Sequence, residues 1–263
     1  MNSTTKKIAV VIPHFNAPEG LKKAIEHLKS QVNVEVEIFV RDNTHDNILF
    51  TRAINVGLRQ FVYSDLYDYV LVLNQDANLY PTCLRDLMSV MQANPSVGIA
   101  APVAISSTKV VNWAGSADAF PWGKHLIFNI TQLPQAPYET NWVNGACMLL
   151  RTAMVREIGL LDENMRFICS DADYSFTARA RGWKCVVVPS AFVEHELSGS
   201  SNLSNPWLSK VKLEDQLYFA KKWVTNDLYR ALAAEGSRLT PAVIQKAIHD
   251  SQQQLEHLKA QGV

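Results

Sequence analysis

The sequence has few of the features that mark a nucleic-acid binder, a fibre or a disordered chain. Among its 263 residues, Lys and Arg total 25 and so do Asp and Glu, so the formal net charge is zero. A surface built throughout to bind nucleic acid would be strongly basic, and we therefore expect no nucleic-acid partner. The 11 glycines and 11 prolines are too few for a collagen-like or low-complexity chain, and 48% hydrophobic residues suffice for a buried core.

Cysteine and long apolar segments are also scarce. The four cysteines are Cys83, Cys147, Cys169 and Cys185. They are far apart and form no C-x-x-C pair, so we expect buried free thiols in a reducing cytoplasm rather than a zinc or redox site. No apolar run approaches the roughly 18 residues that a membrane span needs. The run after Lys7 stops at Pro13, which is too short for a signal peptide, and we expect a cytoplasmic protein.

Strand-like and helix-like patterns alternate along the first hundred residues. Short apolar runs, typical of buried strands, cover 8–12, 69–73 and 97–101, and residues 34–40 (VEVEIFV) also have a strand-like pattern. Apolar residues at helical spacing cover 19–31, 48–62 and 82–93. This alternation predicts right-handed crossovers and an α/β fold with a Rossmann-like, mostly parallel sheet flanked by helices.

The rest of the chain divides into an irregular middle and a helical end. Residues 102–145 hold Trp113, Trp122 and Trp142 without a clear period, and such an insertion is more often a binding loop than a second core. Regular patterns return as strands at 146–151, 184–188 and 191–194, and as a helix over 171–181. We predict one α/β domain over residues 1–205 and a C-terminal helical extension over 206–263.

Polar residues follow the predicted strands at the edge where open α/β sheets bind ligands. These groups are 13–16 (PHFN), Asp42-Asn43, Asn74-Gln75-Asp76 and the segment 170–173 (SDAD) before a helix. Each has a simpler explanation: Asp42-Asn43 suits a turn, and Ser170 with Asp173 matches a capping box, which leaves Asp171 unexplained. Their coincidence at strand ends favours a functional site.

The order of the motifs resembles a known family. In sequence these are IAVVIPHFN, VRDN, TRAINVGL, YVLVLNQDANLYP, WVNGACMLLR, GLLDENMRF, SDADYSFTARARGW and VPSAFVEHELSGSS. The chain resembles the family-2 inverting glycosyltransferases of the GT-A fold, especially the bacterial rhamnosyltransferase-like members that build surface polysaccharides. The resemblance covers about residues 7–201, and LEDQLYFAKKW near 213–223 is similar to the tail of that group.

The resemblance implies a nucleotide-sugar donor site. The positions that match the base and ribose site of the family are Pro13, Phe15, Asn16 and Asp42. A carboxylate such as Asp42 can accept a hydrogen bond from the imino N–H of uracil or thymine, or from a ribose hydroxyl. Arg52 and Asn55 match a helix segment that lines the donor site, although a solvated Arg and a helix-surface Asn are equally good explanations.

The resemblance also implies a divalent metal, Mg²⁺ or Mn²⁺, held against the diphosphate by a D-x-D motif. This chain has Asn74-Gln75-Asp76 instead, so only Asp76 supplies charge there. His195 matches a position that helps to hold the metal or phosphate, and an ordinary core or surface histidine is the alternative.

The family's catalytic base corresponds to Asp171, although the Glu that precedes it in the family is Ser170 here. Asp171 would take a proton from an acceptor hydroxyl in a single displacement with inversion. On the acceptor side the resemblance implies Trp142, Asn144, Gly145 and Ser170. The acceptor would be a glycan or a lipid-linked glycan.

Two other functions stay open. A nucleotidyltransferase has a related fold but usually carries a glycine-rich basic loop after strand one, which PHFNAPEGLKK lacks. An inactive binding or scaffold domain is conceivable because Asn74 and Ser170 replace acidic residues. The basic and aromatic residues of the tail suit either a peripheral contact with an anionic membrane or an amphipathic helix packed on the core, and we favour the packed helix.

Overall fold

A helix-flanked sheet forms the centre of the structure. The computed structural model describes residues 6–117, 119–121, 123–196, 205–223 and 241–263. The strands within them are β1 (Lys6–His14), β2 (Val34–Asp42), β3 (Tyr69–Leu73), β4 (Asn78–Leu79), β5 (Val97–Ile105), β6 (Val111–Trp113), β7 (Tyr138–Glu139), β8 (Cys147–Arg151) and β9 (Lys184–Glu194). The helices are α1 (Pro18–Lys29), α2 (Leu49–Phe61), α3 (Cys83–Ala93), α4 (Thr152–Ile158), α5 (Ser170–Ala180), α6 (Pro206–Trp223) and α7 (Pro241–Ala260).

Proline and glycine mark several helix boundaries, as local chemistry predicts. Pro18, Pro206 and Pro241 each occupy the first position of a helix, where the missing N–H has no intrahelical partner to lose. Gly159 and Gly182 follow α4 and α5 with φ values of 86° and 85°, a left-handed conformation that other residues adopt only at a cost.

The strand order is β2-β1-β3-β8-β5-β9-β4, with β6 paired to β5 and β7 paired to β9. β1 is parallel to β2 and β3, and β5 is parallel to β9, whereas β8 runs antiparallel between β3 and β5. The predicted α/β fold is therefore confirmed, but the sheet is more mixed than expected. β8 follows the irregular middle segment rather than a crossover helix, so it is free to return antiparallel.

The core of the sheet is close-packed. Residues 8–12 of β1 and 70–73 of β3 are fully buried, as expected of strands covered on both faces. Gly57 of α2 lies so close to β1 that an added Cβ would clash with the methyl carbons of Val11. The parallel register of β1 with β2 and β3 brings the carboxyl ends of these three strands to one edge of the sheet.

β9 is one long strand, where the sequence predicted two. Its register with β5 shifts between the pairs Pro102–Val188 and Val103–Phe192, so a bulge separates the two apolar runs. Beyond the bulge, Glu194 pairs with Asn78 of β4. This pairing brings the end of β9 next to the loop that follows β3.

The predicted helical tail is present as α6 and α7, while residues 224–240, and also Trp122 of the middle segment, lie outside the described residues. α6 joins a second apolar cluster whose members include Trp142, Phe176, Phe219 and Trp223. The division into a 1–205 domain and a 206–263 extension stays a prediction. α6 packs directly on α5, through the rings of Phe176 and Phe219 and the hydrogen bond from Trp223 to Asp173. Among the described helices, none is long and apolar enough to cross a membrane.

Candidate active site

A cavity of about 440 Å³ opens at the carboxyl-end edge of the sheet, a size typical of small-molecule sites. Its wall brings together residues that the sequence placed in separate motifs. These are Asn74, Trp142, Asn144, Gly145, Ser170, Asp171 and His195. The cavity therefore joins the four predicted acceptor-side residues and Asp171 to Asn74 and His195, whereas the other predicted donor-side residues lie outside its lining.

Asp171 stands at the start of α5 with both carboxylate oxygens oriented by backbone. The N–H of Gly145 donates to Oδ2 at 2.8 Å, and the N–H of Ala172 donates to Oδ1 at 2.8 Å. Burial raises the pKa of Asp171 above its usual value, although these two hydrogen bonds partly oppose that shift. Cys169 caps the helix in a left-handed conformation with φ 67°, an unusual geometry for a non-glycine residue that turns the chain into α5.

Asp173 has a different role from the one the sequence suggested. The predicted capping box is wrong, because α5 begins at Ser170 itself and its N-cap, Cys169, makes no side-chain capping bond. Asp173 is buried and accepts from Lys222 Nζ at 2.8 Å and from Trp223 Nε1 at 2.6 Å, both on α6. Its carboxylate holds two helices together and takes no part in lining the cavity.

Asp76 and His195 meet beside the cavity. His195 Nε2 lies 3.4 Å from Asp76 Oδ1, and His195 Nδ1 is buried with no partner among the described residues. Burial is the largest influence on the pKa of Asp76 and tends to raise it, but the contact with His195 and a backbone hydrogen bond together make the net shift downward, which favours the charged carboxylate.

These side chains fit a magnesium or manganese ion only in part. A carboxylate, an imidazole nitrogen and the nearby Asn74 amide are suitable ligands. Within the described residues, however, no three His, Cys, Asp or Glu side chains are grouped as a metal site. A bound ion would therefore complete its shell with oxygens of substrate and water, as Mg²⁺ usually does.

The residues predicted to bind base and ribose lie at the neighbouring strand ends. Phe15 is 43% exposed, and Asn16 next to it has φ 47°. The register pairs His14 with Asp42, so the ends of β1 and β2 lie side by side, next to the partly buried Pro13. The hydrogen bonds of Thr44 to Asp42 lower the pKa of that exposed carboxylate and keep it charged.

Arg52 and Asn55 contact another segment of the chain instead of the cavity. Asn55 is 1% exposed, donates to Leu161 O at 2.9 Å and to Glu163 Oε1 at 3.0 Å, and accepts from Leu161 N at 3.1 Å. Arg52 lies on the surface, 3.3 Å from Glu163. The pair fastens α2 to the loop before α5, and their contact with a donor stays a prediction.

Sequence reasoning missed several cavity residues, because no local motif marks them. Phe50, Phe167 and His125 line the wall, and the His125 ring lies 5.4 Å from that of Trp142. Asp215 of α6 is fully buried and accepts from the N–H groups of Phe167 at 2.6 Å and Ile168 at 3.0 Å. It therefore fixes the backbone of these two lining residues without lining the cavity itself. The only sequence signal for Asp215 was that the segment containing it, LEDQ at 213–216, is similar to the tail of the family.

Comparison with known proteins identifies the family. The family model "Glycosyl transferase family group 2" matches residues 69–238, which is more than half of the chain. The chain belongs to this glycosyltransferase family. The predicted family-2 assignment is thus confirmed at this level, while no curated protein sequence matches the chain.

Among solved structures, this chain is similar to one described as "Crystal structure of GalNAc-T7 with UDP, GalNAc and Mn2+". The TM-score is 0.60 at 15% identity, over 95% of this chain and 55% of that chain. This chain therefore spans little more than half of that chain's length. At this identity the similarity shows a shared fold, and it confirms the predicted GT-A architecture.

Proposed function

We propose that the protein is an inverting glycosyltransferase that uses a UDP- or dTDP-linked sugar, with dTDP-rhamnose as one candidate. The acceptor is a hydroxyl of a glycan or lipid-linked glycan in cell-surface polysaccharide synthesis. One observation carries this proposal: an oriented carboxylate of raised pKa, Asp171, shares a cavity with Asn74 and His195.

Asp171 acts as the general base. The two backbone N–H bonds aim its carboxylate and still leave lone pairs for an acceptor hydroxyl. A pKa raised by burial makes the carboxylate a stronger base, which suits it to accept a proton. The acceptor oxygen gives its proton to Asp171 as it attacks the anomeric carbon from the face opposite the diphosphate, so the configuration inverts.

Asp76 and His195, with the amide oxygen of Asn74, would hold Mg²⁺ or Mn²⁺. When bound, such an ion neutralises the charge that develops on the departing diphosphate. The lining of the cavity supports the use of a metal ion, because none of the described residues that line it is a Lys or Arg that could neutralise the diphosphate instead. The similar GalNAc-T7 structure was crystallised with UDP and Mn²⁺, which supports it as well.

Phe15 and Asp42 bind the nucleoside. The exposed ring of Phe15 offers a face on which a base can stack. The charged Asp42 accepts from the imino N–H of a pyrimidine or from a ribose hydroxyl. Arg52 and Asn55 support this side by fixing α2, and Trp142, Asn144, Gly145 and Ser170 frame the acceptor.

Thermal shift with a panel of nucleotides tests the donor assignment. With Mn²⁺, UDP or dTDP at 100 times the dissociation constant should add about 2.7 kcal/mol of stability. ADP and GDP should add much less, and equal stabilisation by a purine diphosphate would overturn the role of Asp42. Hydrolysis of UDP- or dTDP-sugars by the purified protein would then exclude the inactive-scaffold alternative.

A further inference from the structure

Gln75 is the middle residue of the Asn74-Gln75-Asp76 segment, and its amide bonds to the end of β1 and the loop that follows. Both polar atoms of this amide contact His14 or Phe15. We propose that Gln75 is a positioning residue that holds Phe15 ready for the base of the nucleotide. This inference rests on the proposed function, because it assumes that Phe15 contacts the donor.

Three hydrogen bonds join the Gln75 amide to His14 and Phe15, and we call this set the clamp. Gln75 Oε1 accepts from the N–H of Phe15 at 2.8 Å, and Gln75 Nε2 donates to the C=O of Phe15 at 3.1 Å. His14 Nδ1 lies 2.8 Å from the same Oε1. The Gln75 amide thus hydrogen-bonds to both the N–H and the C=O of Phe15, as the backbone of a neighbouring strand would.

This arrangement also determines the amide orientation and the state of His14. The Phe15 N–H can only donate, so the atom facing it must be the Gln75 oxygen, and His14 must then donate through Nδ1. Neutral His14 therefore carries its proton on Nδ1. The imidazole becomes a second donor to Gln75 and strengthens the clamp.

The clamp acts where the chain leaves regular structure. β1 ends at His14, Phe15 is exposed, and Asn16 has φ 47°, so the strand ladder no longer supports these residues. Gln75 supplies the missing support. Holding the loop before the ligand arrives removes an ordering cost from binding, and the affinity for the nucleoside portion rises accordingly.

Gln75 and Asp76 should therefore contribute to the binding of different parts of one ligand. Asp76 lies beside His195 and serves the metal and diphosphate, whereas Gln75 serves the base through Phe15. A nucleoside monophosphate in the presence of chelator depends on the base contact and tests Gln75 by itself. A nucleoside diphosphate with Mn²⁺ depends on both residues.

The experiment is calorimetric titration of the full chain with UMP and dTMP in EDTA, and with UDP and dTDP in Mn²⁺. The variants are Gln75→Ala and Asp76→Ala, with Gln92→Ala on an exposed part of α3 as the matched control. Gln75→Ala should weaken both ligand classes by a similar factor, about tenfold, which is typical for lost hydrogen bonds. Asp76→Ala should weaken only the diphosphates with metal.

Gln75→Glu provides a second measurement that keeps most of the side chain's size. A carboxylate still accepts from Phe15 N–H and His14 but faces the Phe15 carbonyl without a proton to donate, so monophosphate affinity should fall between wild type and Gln75→Ala. Unchanged monophosphate affinity in both Gln75 variants, or a loss confined to the metal-dependent ligands, would overturn the clamp alone. Failure of the wild-type protein to bind any of these nucleotides would overturn the proposed function and the clamp with it.

Discussion

The strand ends beside the cavity and the helices behind it use polar side chains in different ways. At the strand ends, the Asp76 side chain is 44% exposed and His195 Nδ1 has no partner among the described residues. Behind the cavity, the side chains of Asp173 and Asp215 are 3% and 0% exposed, and both accept hydrogen bonds from the protein. An exposed carboxylate next to a buried imidazole with an unpartnered nitrogen suits ligand binding, whereas buried carboxylates that accept hydrogen bonds from the protein hold the scaffold.

Asp171 shares features with both groups. It starts the same helix as Asp173, yet it lines the cavity while its oxygens are also held by backbone. We therefore expect Asp171 to serve function and Asp173 and Asp215 to serve stability, and mutations can separate the two.

The largest effect should come from Asp171→Asn. The amide has nearly the same shape but cannot take the proton, so turnover should fall about 10²- to 10⁴-fold, the usual contribution of general acid–base catalysis. Steady-state transfer assays measure the loss, and calorimetry should find donor affinity close to that of wild type.

Asp173→Asn is the matched control on the same helix. It removes the charge that pairs with Lys222 and should lower the free energy of unfolding by about 1–3 kcal/mol, with turnover within a few-fold of wild type. If Asp173→Asn abolished transfer and Asp171→Asn did not, the assignment of the base would be wrong. If neither variant slowed transfer, the proposed mechanism would fail.

Asp215→Ala should be the most destabilising change among the buried carboxylates behind the cavity. It leaves the buried N–H groups of Phe167 and Ile168 without their acceptor and removes one of the carboxylates that pair with Arg166, at a cost of about 3 kcal/mol. Urea unfolding measures this. Asp250→Ala, which breaks an exposed pair with Lys246 on α7, should cost no more than about 0.5 kcal/mol. Similar losses in both variants would contradict the contrast between buried and exposed carboxylates.

Asp76→Ala tests the strand-end group beside the cavity. It removes the charged ligand proposed for the metal, so the metal-dependent part of UDP or dTDP affinity should drop at least about tenfold, with little change in unfolding free energy. Adding a chelator to the wild-type protein should reproduce the loss. If activity survived both the substitution and the chelator, transfer would not need a metal. The physical reason would be that Asn74 stands where the family's motif has an acid.

The smallest effect concerns a peripheral contact with the inner face of the cell membrane. α6 buries Phe219 and Trp223 against the core, which leaves Trp207, 46% exposed, as its most accessible aromatic residue. We expect only weak dependence of liposome flotation on anionic lipid, because most of the aromatic surface is unavailable. Strong binding that rises with anionic lipid and falls with salt would favour the membrane contact over the packed helix.

Parts of the site were predictable because they depend on local sequence. Asp171 stood out since a capping box left it unexplained, and Asn74 and Asp76 stood out since they follow an apolar strand. The capping box itself failed as a prediction, because Lys222 and Trp223, far along the chain, offered Asp173 stronger partners.

Other features were beyond sequence reasoning. Nothing local indicated that Gln75 would bond to Phe15, that Asn55 would bind the loop at Leu161, or that Asp215 would support Phe167. In each case the partners are separated by dozens of residues, and each partner taken alone has an ordinary surface explanation.

The sequence by itself therefore determined the α/β alternation, the helix boundaries at proline and glycine, and the polar strand ends. These depend on backbone sterics and on apolar periodicity over a few neighbouring residues. Only the tertiary structure decided the antiparallel insertion of β8, the meeting of Asp76 with His195, and which carboxylate of α5 faces the cavity. Those outcomes depend on which distant segments pack together, because a buried polar group must find its partner wherever the fold brings one within reach.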